Sequence, residues 1–317
     1  MNVGKIVRKF LSMVGTLLLV SFLVFLAFAI IPGDPAIHKL GMDATEESLQ
    51  AMRVQMGLDK PLLTRFFTWL VSFIKGDMGV SYSYGIPVGE MILDKLPITV
   101  TMTVLSFLLV LLFSLPIGIY AAKHTGGVVD RCIVIVNQIF MAVPSFFGGI
   151  LITLLFGVLL KLFVPGNFVS YQVSFGKFLA YMIFPSIAIA IPKTAMTVKL
   201  LRSSILEQAK LDYARTAYSR GNNTRNVLLH HVLQNAMIPV VTFLGMALAD
   251  IFTGSIIVEQ VFNIPGIGRI LLTSISSRDY PVVIAILVLL AFIVIIINFF
   301  VDILYGFMDP RVRDAQK

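Results

Sequence analysis

The side chains best suited to recognition are concentrated in one stretch, Asp212 to Pro239, which is polar and basic and lies between two long apolar runs. It contains Arg215, Arg220 and Arg225, with Gly221 at its centre. The stretch has no nucleophile-elbow motif and no Ser/His/Asp arrangement, so it does not predict catalysis. A basic segment between two runs long enough to cross a membrane is instead predicted to be the cytosolic part of a membrane protein.

Metal and nucleotide chemistry are also disfavoured by the sequence. The four histidines make no HExxH or other ligand spacing, and adjacent His230 and His231 point to different faces of a helix. The single cysteine, Cys132, excludes an intrachain disulfide and a cysteine metal cluster. The chain has no phosphate-binding loop of the pattern GxxxxGKS or GxxxxGKT, so it is not predicted to be an ATPase.

Two helices joined by a sharp bend are predicted to position the arginines. Positions i, i+3, i+4 and i+7 give a helix face of mostly small residues that a partner can approach closely: Ala214, Ala217, Tyr218 and Gly221. Gly221 tolerates the left-handed conformation at a helix end, and the residues after it are N-cap candidates. A second stripe has the same spacing: Leu229, Val232, Leu233 and Ala236. The alternative is an ordinary solvated loop between two transmembrane helices.

Composition indicates a membrane protein. Apolar residues make up 57% of the 317 residues and charged residues 13%, and the mean hydropathy is +0.91. The net charge of +8 comes from basic residues at the N-terminus, in the central stretch and at the C-terminus, all flanking apolar runs. This is the positive-inside pattern and not a nucleic-acid-binding stripe.

Six transmembrane spans are predicted, with both termini in the cytosol. The apolar runs are Phe10 to Ile31, Ile98 to Ala122, Cys132 to Leu160, Phe178 to Leu201, Met237 to Ile257 and Val282 to Leu304. Kinks are expected at prolines within them: Pro116, Pro144, Pro185 and Pro192. Residues 32–97 form the one sizeable polar segment on the far side. Within it, Leu62, Phe66, Leu70 and Phe73, with Trp69, predict an amphipathic helix that lies either at the outer interface or on the protein's own membrane helices.

The central stretch resembles the EAA loop of permease subunits of ATP-binding-cassette importers, in the variant found in peptide and nickel permeases. The matching residues are Asp212, Tyr213, Ala214, Arg215, Thr216 and Ala217, then Gly221, and then Gln234 to Pro239. Arg215 stands where many importers have a glutamate, which leaves its pairing partner open. The resemblance implies a coupling helix that sits in a groove of a cytosolic ATPase subunit.

Other phrases are similar to phrases of the same family and extend the resemblance over essentially the whole chain. They are Ile31 to Ala36, Met56 to Pro61, Gly76 to Ser81, Glu259 to Arg269, Ser277 to Val282 and Asp309 to Arg313. Each is weak alone, because a Pro/Gly turn is common. In this order and spacing they are specific.

The resemblance implies an all-α polytopic membrane protein with six transmembrane helices and the type I ABC importer permease fold. Its segments would be a first helix (1–31), an extracytoplasmic loop (32–97), a permease core (98–305) with coupling segment 204–236, and a cytosolic tail (306–317). The implied location is the inner membrane of a bacterial or archaeal cell. The implied partners are a second permease, two ABC ATPase subunits and an extracytoplasmic substrate-binding protein, with no nucleic acid.

The same resemblance implies that this chain is not itself an enzyme and binds no cofactor, because ATP and Mg are used by the ATPase subunits. Di- or oligopeptides are the expected cargo, with nickel or a metallophore as the alternative. A secondary transporter would rely on ionisable groups within its spans, for which Asp250 is the one strong candidate. A membrane-embedded enzyme would need a clustered acid, base or metal site, which the sequence does not show.

Two carboxylates are candidates for a cavity or an interface. Asp250 falls in the middle of an apolar run, where a charge is costly enough to indicate a functional site. It is predicted to face the translocation cavity or to pair with the partner permease; the alternative is a protonated or hydrogen-bonded interface residue. Glu259 begins the phrase that, in the family, forms an extracellular elbow near the cavity mouth. Lys193 is expected to snorkel toward the inner end of its span.

Overall fold

The fold of residues 3–30, 35–41 and 44–308 is described by a computed structural model. The phrase around Ile31 to Asp34 and the C-terminal phrase from Asp309 lie outside these residues, as does most of the predicted cytosolic tail. Thirteen α-helices are described: α1 (Val3–Ile30), α2 (Pro35–Leu40), α3 (Glu46–Gln55), α4 (Leu62–Ile74), α5 (Val88–Lys123), α6 (Val128–Ala142), α7 (Ser145–Ile152), α8 (Phe175–Gln208), α9 (Asp212–Ser219), α10 (Thr224–Asn226), α11 (Leu233–Val261), α12 (Ile267–Ser276) and α13 (Tyr280–Met308). Two π-helical segments, Thr153–Leu159 and Val227–Val232, continue α7 and connect α10 to α11.

The predicted all-α fold is confirmed. Among the described residues the only β-type pairing is an isolated antiparallel bridge between Val80 and Pro87. Five continuous helical stretches are long and apolar enough to cross a membrane, and they include α1, α5, α8, α13 and the stretch from Thr224 to Val261. The pair α6 and α7 gives a sixth span when it is counted as one. Four of the observed helices, α5, α8, α11 and α13, run past both ends of the predicted apolar runs, because hydropathy locates the bilayer-crossing part and not the polar turns that continue it.

The break between α6 and α7 is caused by Pro144. The two helical segments meet at 101°. Proline has no N–H to donate, and it forces the residue before it out of the helical region. Val143 accordingly has ψ 116°, which is extended backbone. By contrast, α8 continues through Pro185 and Pro192 as one helix.

One compact unit is formed by residues 100–264 and 297–308, together with the first described residues of α1. Its centre is the packing of α8 against α11. A small residue also lets α5 approach α8 closely: a Cβ added at Gly118 of α5 would lie 2.9 Å from Leu201 of α8. Ser204 of α8 also donates a hydrogen bond to the carbonyl of Ala236 in α11, at 2.9 Å. This contact fixes the helix that enters the central polar stretch against the helix that leaves it.

Gly245→Ala is expected to destabilise this unit. An added Cβ at Gly245 of α11 would overlap Val301 of α13, whose Cγ1 would be 2.7 Å away. Overpacking of this kind costs about 1–3 kcal/mol, more than the helix propensity gained from alanine. The measurement is the thermal unfolding midpoint. Gly254→Ala on the same helix is the control, because no atom lies within 4 Å of its added Cβ. Equal midpoints for the two variants would contradict the prediction.

The second compact unit consists of residues 7–99 and 265–296. Its core is an aromatic cluster in which Phe25 of α1, Phe66 of α4 and Tyr280 of α13 are buried. Phe66 packs edge to face with Phe22 and Phe25, at centroid distances of 5.2 and 5.6 Å. The predicted amphipathic face of α4 therefore packs on the protein's own membrane helices. This was one of its two predicted positions, the other being the outer membrane interface.

Candidate functional site

The site begins where α8 ends and the short helix α9 starts. Asp212 is in the first turn of α9, where a carboxylate interacts favourably with the helix dipole. Tyr213 donates a hydrogen bond from its hydroxyl to Oε1 of Gln208, at 2.9 Å, so that the last turn of α8 is tied to the first turn of α9. Thr216 donates to the Asp212 carbonyl at 2.9 Å. These local bonds stiffen a helix of only eight residues.

The predicted bend at Gly221 is confirmed. Gly221 has φ +83°, the left-handed region that favours glycine. Its N–H donates to the carbonyl of Tyr218, and the N–H of Asn222 donates to that of Ala217. This pair of bonds is the Schellman ending of a helix. The next helix starts at once, because Oδ1 of Asn223 accepts a hydrogen bond from the N–H of Asn226 at 2.8 Å.

The small face of α9 is used within the chain. Ala214 is fully buried and Ala217 is buried. Val227 and Val232, on the π-helical segment that packs against α9, are buried as well. The two alanines of the face that was expected to admit a partner therefore pack on the chain itself, and their part in coupling stays a prediction. The half of α9 that remains for a partner is the opposite one, with Arg215, Thr216 and Tyr218 exposed.

The structure gives Arg215 a partner, but a weak one. Its guanidinium lies 3.5 Å from Oδ1 of Asp212, and the two side chains are 74% and 97% exposed. An exposed pair at this distance contributes little to stability, because water screens it. Arg220 and Arg225 are exposed too. The surface formed by α9, the bend and α10 therefore presents three exposed arginines.

An ion pair near this site was not predicted from the sequence. Arg202 of α8 donates from Nε to Oδ1 of Asp130 at 2.6 Å and from a terminal nitrogen to Oδ2 at 2.7 Å. Asp130, in the first turn of α6, is 3% exposed and also accepts from the N–H of Gly126 at 2.9 Å. Thr125 accepts a further bond from Arg202 at 3.0 Å. The turn between α5 and α6 is thus fastened to α8 two turns before the latter ends.

Asp250 is paired within the chain. Its Oδ2 lies 2.7 Å from Nζ of Lys193, which joins α11 to α8. The Asp250 side chain remains 63% exposed and that of Lys193 21%. Lys193 thus has a specific partner in addition to any snorkelling. The exposure of Asp250 leaves its predicted place at a cavity or subunit interface as a hypothesis.

The second candidate carboxylate, Glu259, is buried, unlike Asp250. Its side chain is fully buried near the end of α11, and its backbone carbonyl accepts from the N–H of Ile264 at 2.8 Å. In this conformation Glu259 therefore does not line an open cavity or an exposed interface. Among the described residues, no group of three or more His, Cys, Asp and Glu side chains is arranged to hold a metal ion.

In the second unit, Asp279 holds the turn between residues 79 and 88. It is fully buried, and its carboxylate accepts hydrogen bonds from the Ser81 hydroxyl, from the N–H of Tyr82 at 2.9 Å and from that of Ser83 at 3.1 Å. Burial, and next the negative charge of Asp279, raise the pKa of Tyr82 to about 12. The phrases around Ser81 and Asp279 thus contact each other directly.

Asp279→Ala is expected to loosen this turn and to destabilise the chain. The substitution leaves two backbone N–H groups without their acceptor, each at a cost of about 1–3 kcal/mol. The measurement is the rate of limited proteolysis between residues 81 and 87. Asp77→Ala is the matched control, because Asp77 accepts a single bond, from the N–H of Gly79, in an exposed position. Equal cleavage of the two variants would contradict the assigned role of Asp279.

Comparison with known proteins decides the family. Residues 114–314 match the family model described as "Binding-protein-dependent transport system inner membrane component", and residues 3–103 match the model of the N-terminal part of such components. The chain belongs to this family. The permease is 32% identical over 311 residues to an oligopeptide transport system permease of Bacillus subtilis, with 97% of this chain and 98% of the relative covered. It is 35% identical over 308 residues to a glutathione transport system permease of Salmonella paratyphi A, with the same coverage.

The resemblance read from the sequence phrases is thereby confirmed. The permease is a multi-pass membrane component of a transport system that works with a binding protein. The two matched regions together span nearly the whole chain, in agreement with the distribution of the phrases.

Proposed function

We propose that this chain is a permease subunit of an ATP-driven importer that carries di- or oligopeptides, glutathione-like peptides included. The observation that carries the cargo assignment is the similarity, over 97% of the chain, to permeases named for oligopeptide and glutathione transport. The mechanism is supported by the rigid link from α8 through α9 to α11. No catalytic role is proposed for the chain, and ATP and Mg are used by partner subunits.

The exposed half of α9 is the proposed docking surface for an ATPase subunit. Closure of the ATPases would push on α9, whose inner face is packed against the segment that begins α11. Because Tyr213 ties α9 to α8, and Ser204 ties α8 to α11, the push would move both long helices as one body. Such rocking of rigid helices is a common form of alternating access.

The proposed assembly contains a second, similar permease, two ATPase subunits and an extracytoplasmic binding protein. In the proposed orientation both termini and α9 face the cytosol, as the positive-inside pattern predicts. The segment between α1 and α5 then faces the binding protein. Asp250, half-way along α11 and largely exposed, is proposed to face the second permease or the path between the two.

The proposed cargo is tested by ATP hydrolysis of the reconstituted importer. Its binding protein is loaded in turn with a peptide mixture and with a nickel chelate. Stimulation by the peptide-loaded protein alone is expected. Stimulation of ATP hydrolysis by the nickel chelate alone would reject peptides as cargo while leaving the coupling role of α9 intact. No stimulation by either loaded binding protein would reject both cargo classes.

A further inference from the structure

A cavity of about 390 Å³ lies in the second unit, between the end of α1, the α3–α4 connection, α4 and the start of α13. This volume is within the range typical of small-ligand sites. Its lining includes five aromatic residues, Phe25, Phe28, Trp69, Tyr82 and Tyr280. The coupling mechanism makes no use of this cavity.

Three of the phrases that carry the family resemblance meet at its walls. Lys60 comes from the phrase Met56 to Pro61, Gly79 from the phrase Gly76 to Ser81, and Tyr280 from the phrase Ser277 to Val282. The bond from Ser81 to Asp279 joins the second phrase to the third. Three separated phrases thus build one site, which gives them a common structural role.

The charge of the cavity favours an anion. Its described lining includes Lys60 and Arg65 and no acidic residue. The Arg65 guanidinium lies over the ring of Phe25, 5.9 Å from its centroid, which holds this cation at the aromatic wall. Asp279, which is hydrogen-bonded to the N–H of Tyr82, is not part of the lining, and its carboxylate already accepts three hydrogen bonds. The lining therefore offers two cations to a ligand.

The surroundings indicate that the anion is part of a lipid. The outward face of α4 is apolar and more than half exposed at each position: Leu63, Phe67, Val71 and Ile74. The neighbouring end of α1 is exposed as well, at Leu23 and Ile30. Exposed apolar faces on a membrane protein lie against acyl chains, and Trp and Tyr mark the level of the headgroups.

We propose that this cavity binds the phosphate group of a membrane phospholipid, with its acyl chains lying along the exposed apolar faces of α1 and α4. Lys60 and Arg65 pair with the phosphate. In the orientation proposed above, the lipid belongs to the outer leaflet. It fills the space between α1 and α4, so it fixes the segment that faces the binding protein.

The test measures phosphatidylglycerol retained by the complete importer. The complex is reconstituted in phosphatidylglycerol, washed extensively in detergent, and analysed by lipid extraction and mass spectrometry. The double variant Lys60→Gln/Arg65→Gln is expected to retain about tenfold less lipid than the unaltered complex, because both charge-assisted contacts are lost. Lys75→Gln is the matched control, since Lys75 is an exposed lysine at the end of α4 that does not line the cavity.

Lys60→Gln alone removes one exposed cation of the lining and leaves the packed core intact, so it tests the site even where the double variant fails to fold. It is expected to reduce retention at an unchanged unfolding midpoint. Equal retention by all variants would overturn the proposal. Displacement of the bound lipid by inorganic phosphate would also overturn it and indicate a site for free phosphate. If the variants retain as much phosphatidylglycerol as the unaltered complex but no longer bind the binding protein, the proposal would be overturned in favour of a protein-docking site.

Discussion

Gly221→Val is expected to reduce ATP-driven uptake by the reconstituted importer, by up to about tenfold. Gly221 has φ +83°, and a left-handed conformation costs a side chain with a Cβ about 1–2 kcal/mol, more for a β-branched residue. A penalty of about 1.4 kcal/mol lowers the ratio of the bent state to a state without the turn tenfold, which is the upper limit of the loss of uptake from this cause. Without the Schellman ending, α9 no longer presents Arg215 and Tyr218 in a fixed orientation. Uptake of labelled peptide into proteoliposomes measures the effect.

Two controls separate the turn from the bulk of the side chain. Gly221→Asn is expected to keep most of the uptake, because asparagine tolerates the left-handed region. Gly176→Val places the same side chain at a glycine near the start of α8 that has no atom within 4 Å of its added Cβ and no positive φ. Uptake by Gly221→Val equal to that of Gly176→Val would show that the turn has no role in coupling.

Arg202→Met is expected to destabilise the importer by about 3 kcal/mol and to lower uptake with it. The substitution leaves the Asp130 carboxylate, only 3% exposed, without its ion-pair partner. The loss of one partner of a buried pair costs about 3–5 kcal/mol, and the lower end applies because Arg202 is itself 23% exposed. The thermal unfolding midpoint of the complex and the rate of uptake are both measured.

The double variant Arg202→Met/Asp130→Leu distinguishes stability from coupling. Removal of both charges is expected to restore most of the unfolding midpoint, because the buried uncompensated charge is gone. If the α5–α6 turn must move together with α8, uptake stays low in spite of the restored midpoint. Arg202→Lys keeps the charge but loses the two-pronged geometry, and should fall between the single variant and the unaltered protein. An Arg202→Met complex with unaltered midpoint and uptake would contradict this role.

Elements of local origin could be predicted from the sequence. Hydropathy located the spans, Pro144 predicted a break that occurs between α6 and α7, and Gly221 with Asn223 predicted the bend between α9 and α10. Each of these depends on residues within a few positions of one another. The chemistry of a proline, a glycine or a cap residue acts on its own neighbours.

Contacts between distant positions could not be predicted in the same way. Arg202 and Asp130 are 72 positions apart, and Lys193 and Asp250 are 57 apart. Their pairing depends on the rotation of each helix about its axis, which hydropathy does not determine. A signal for the first pair was present, since Asp130 and Arg202 both flank predicted spans at the same predicted side of the membrane. The burial of Ala214 and Ala217 by the chain itself shows the same limit, because a small-residue face does not tell which surface approaches it.

Photo-cross-linking from position 218 tests the central claim most directly. Tyr218 lies on the exposed half of α9, so its replacement by a photoreactive phenylalanine analogue is expected to cross-link this chain to an ATPase subunit in the assembled importer. Tyr171, in the connection between the π-helical end of α7 and α8, is the matched position and should give no ATPase adduct. An ATPase adduct from position 171, or its absence from position 218 in a complex that hydrolyses ATP, would contradict the assignment of α9 as the coupling helix.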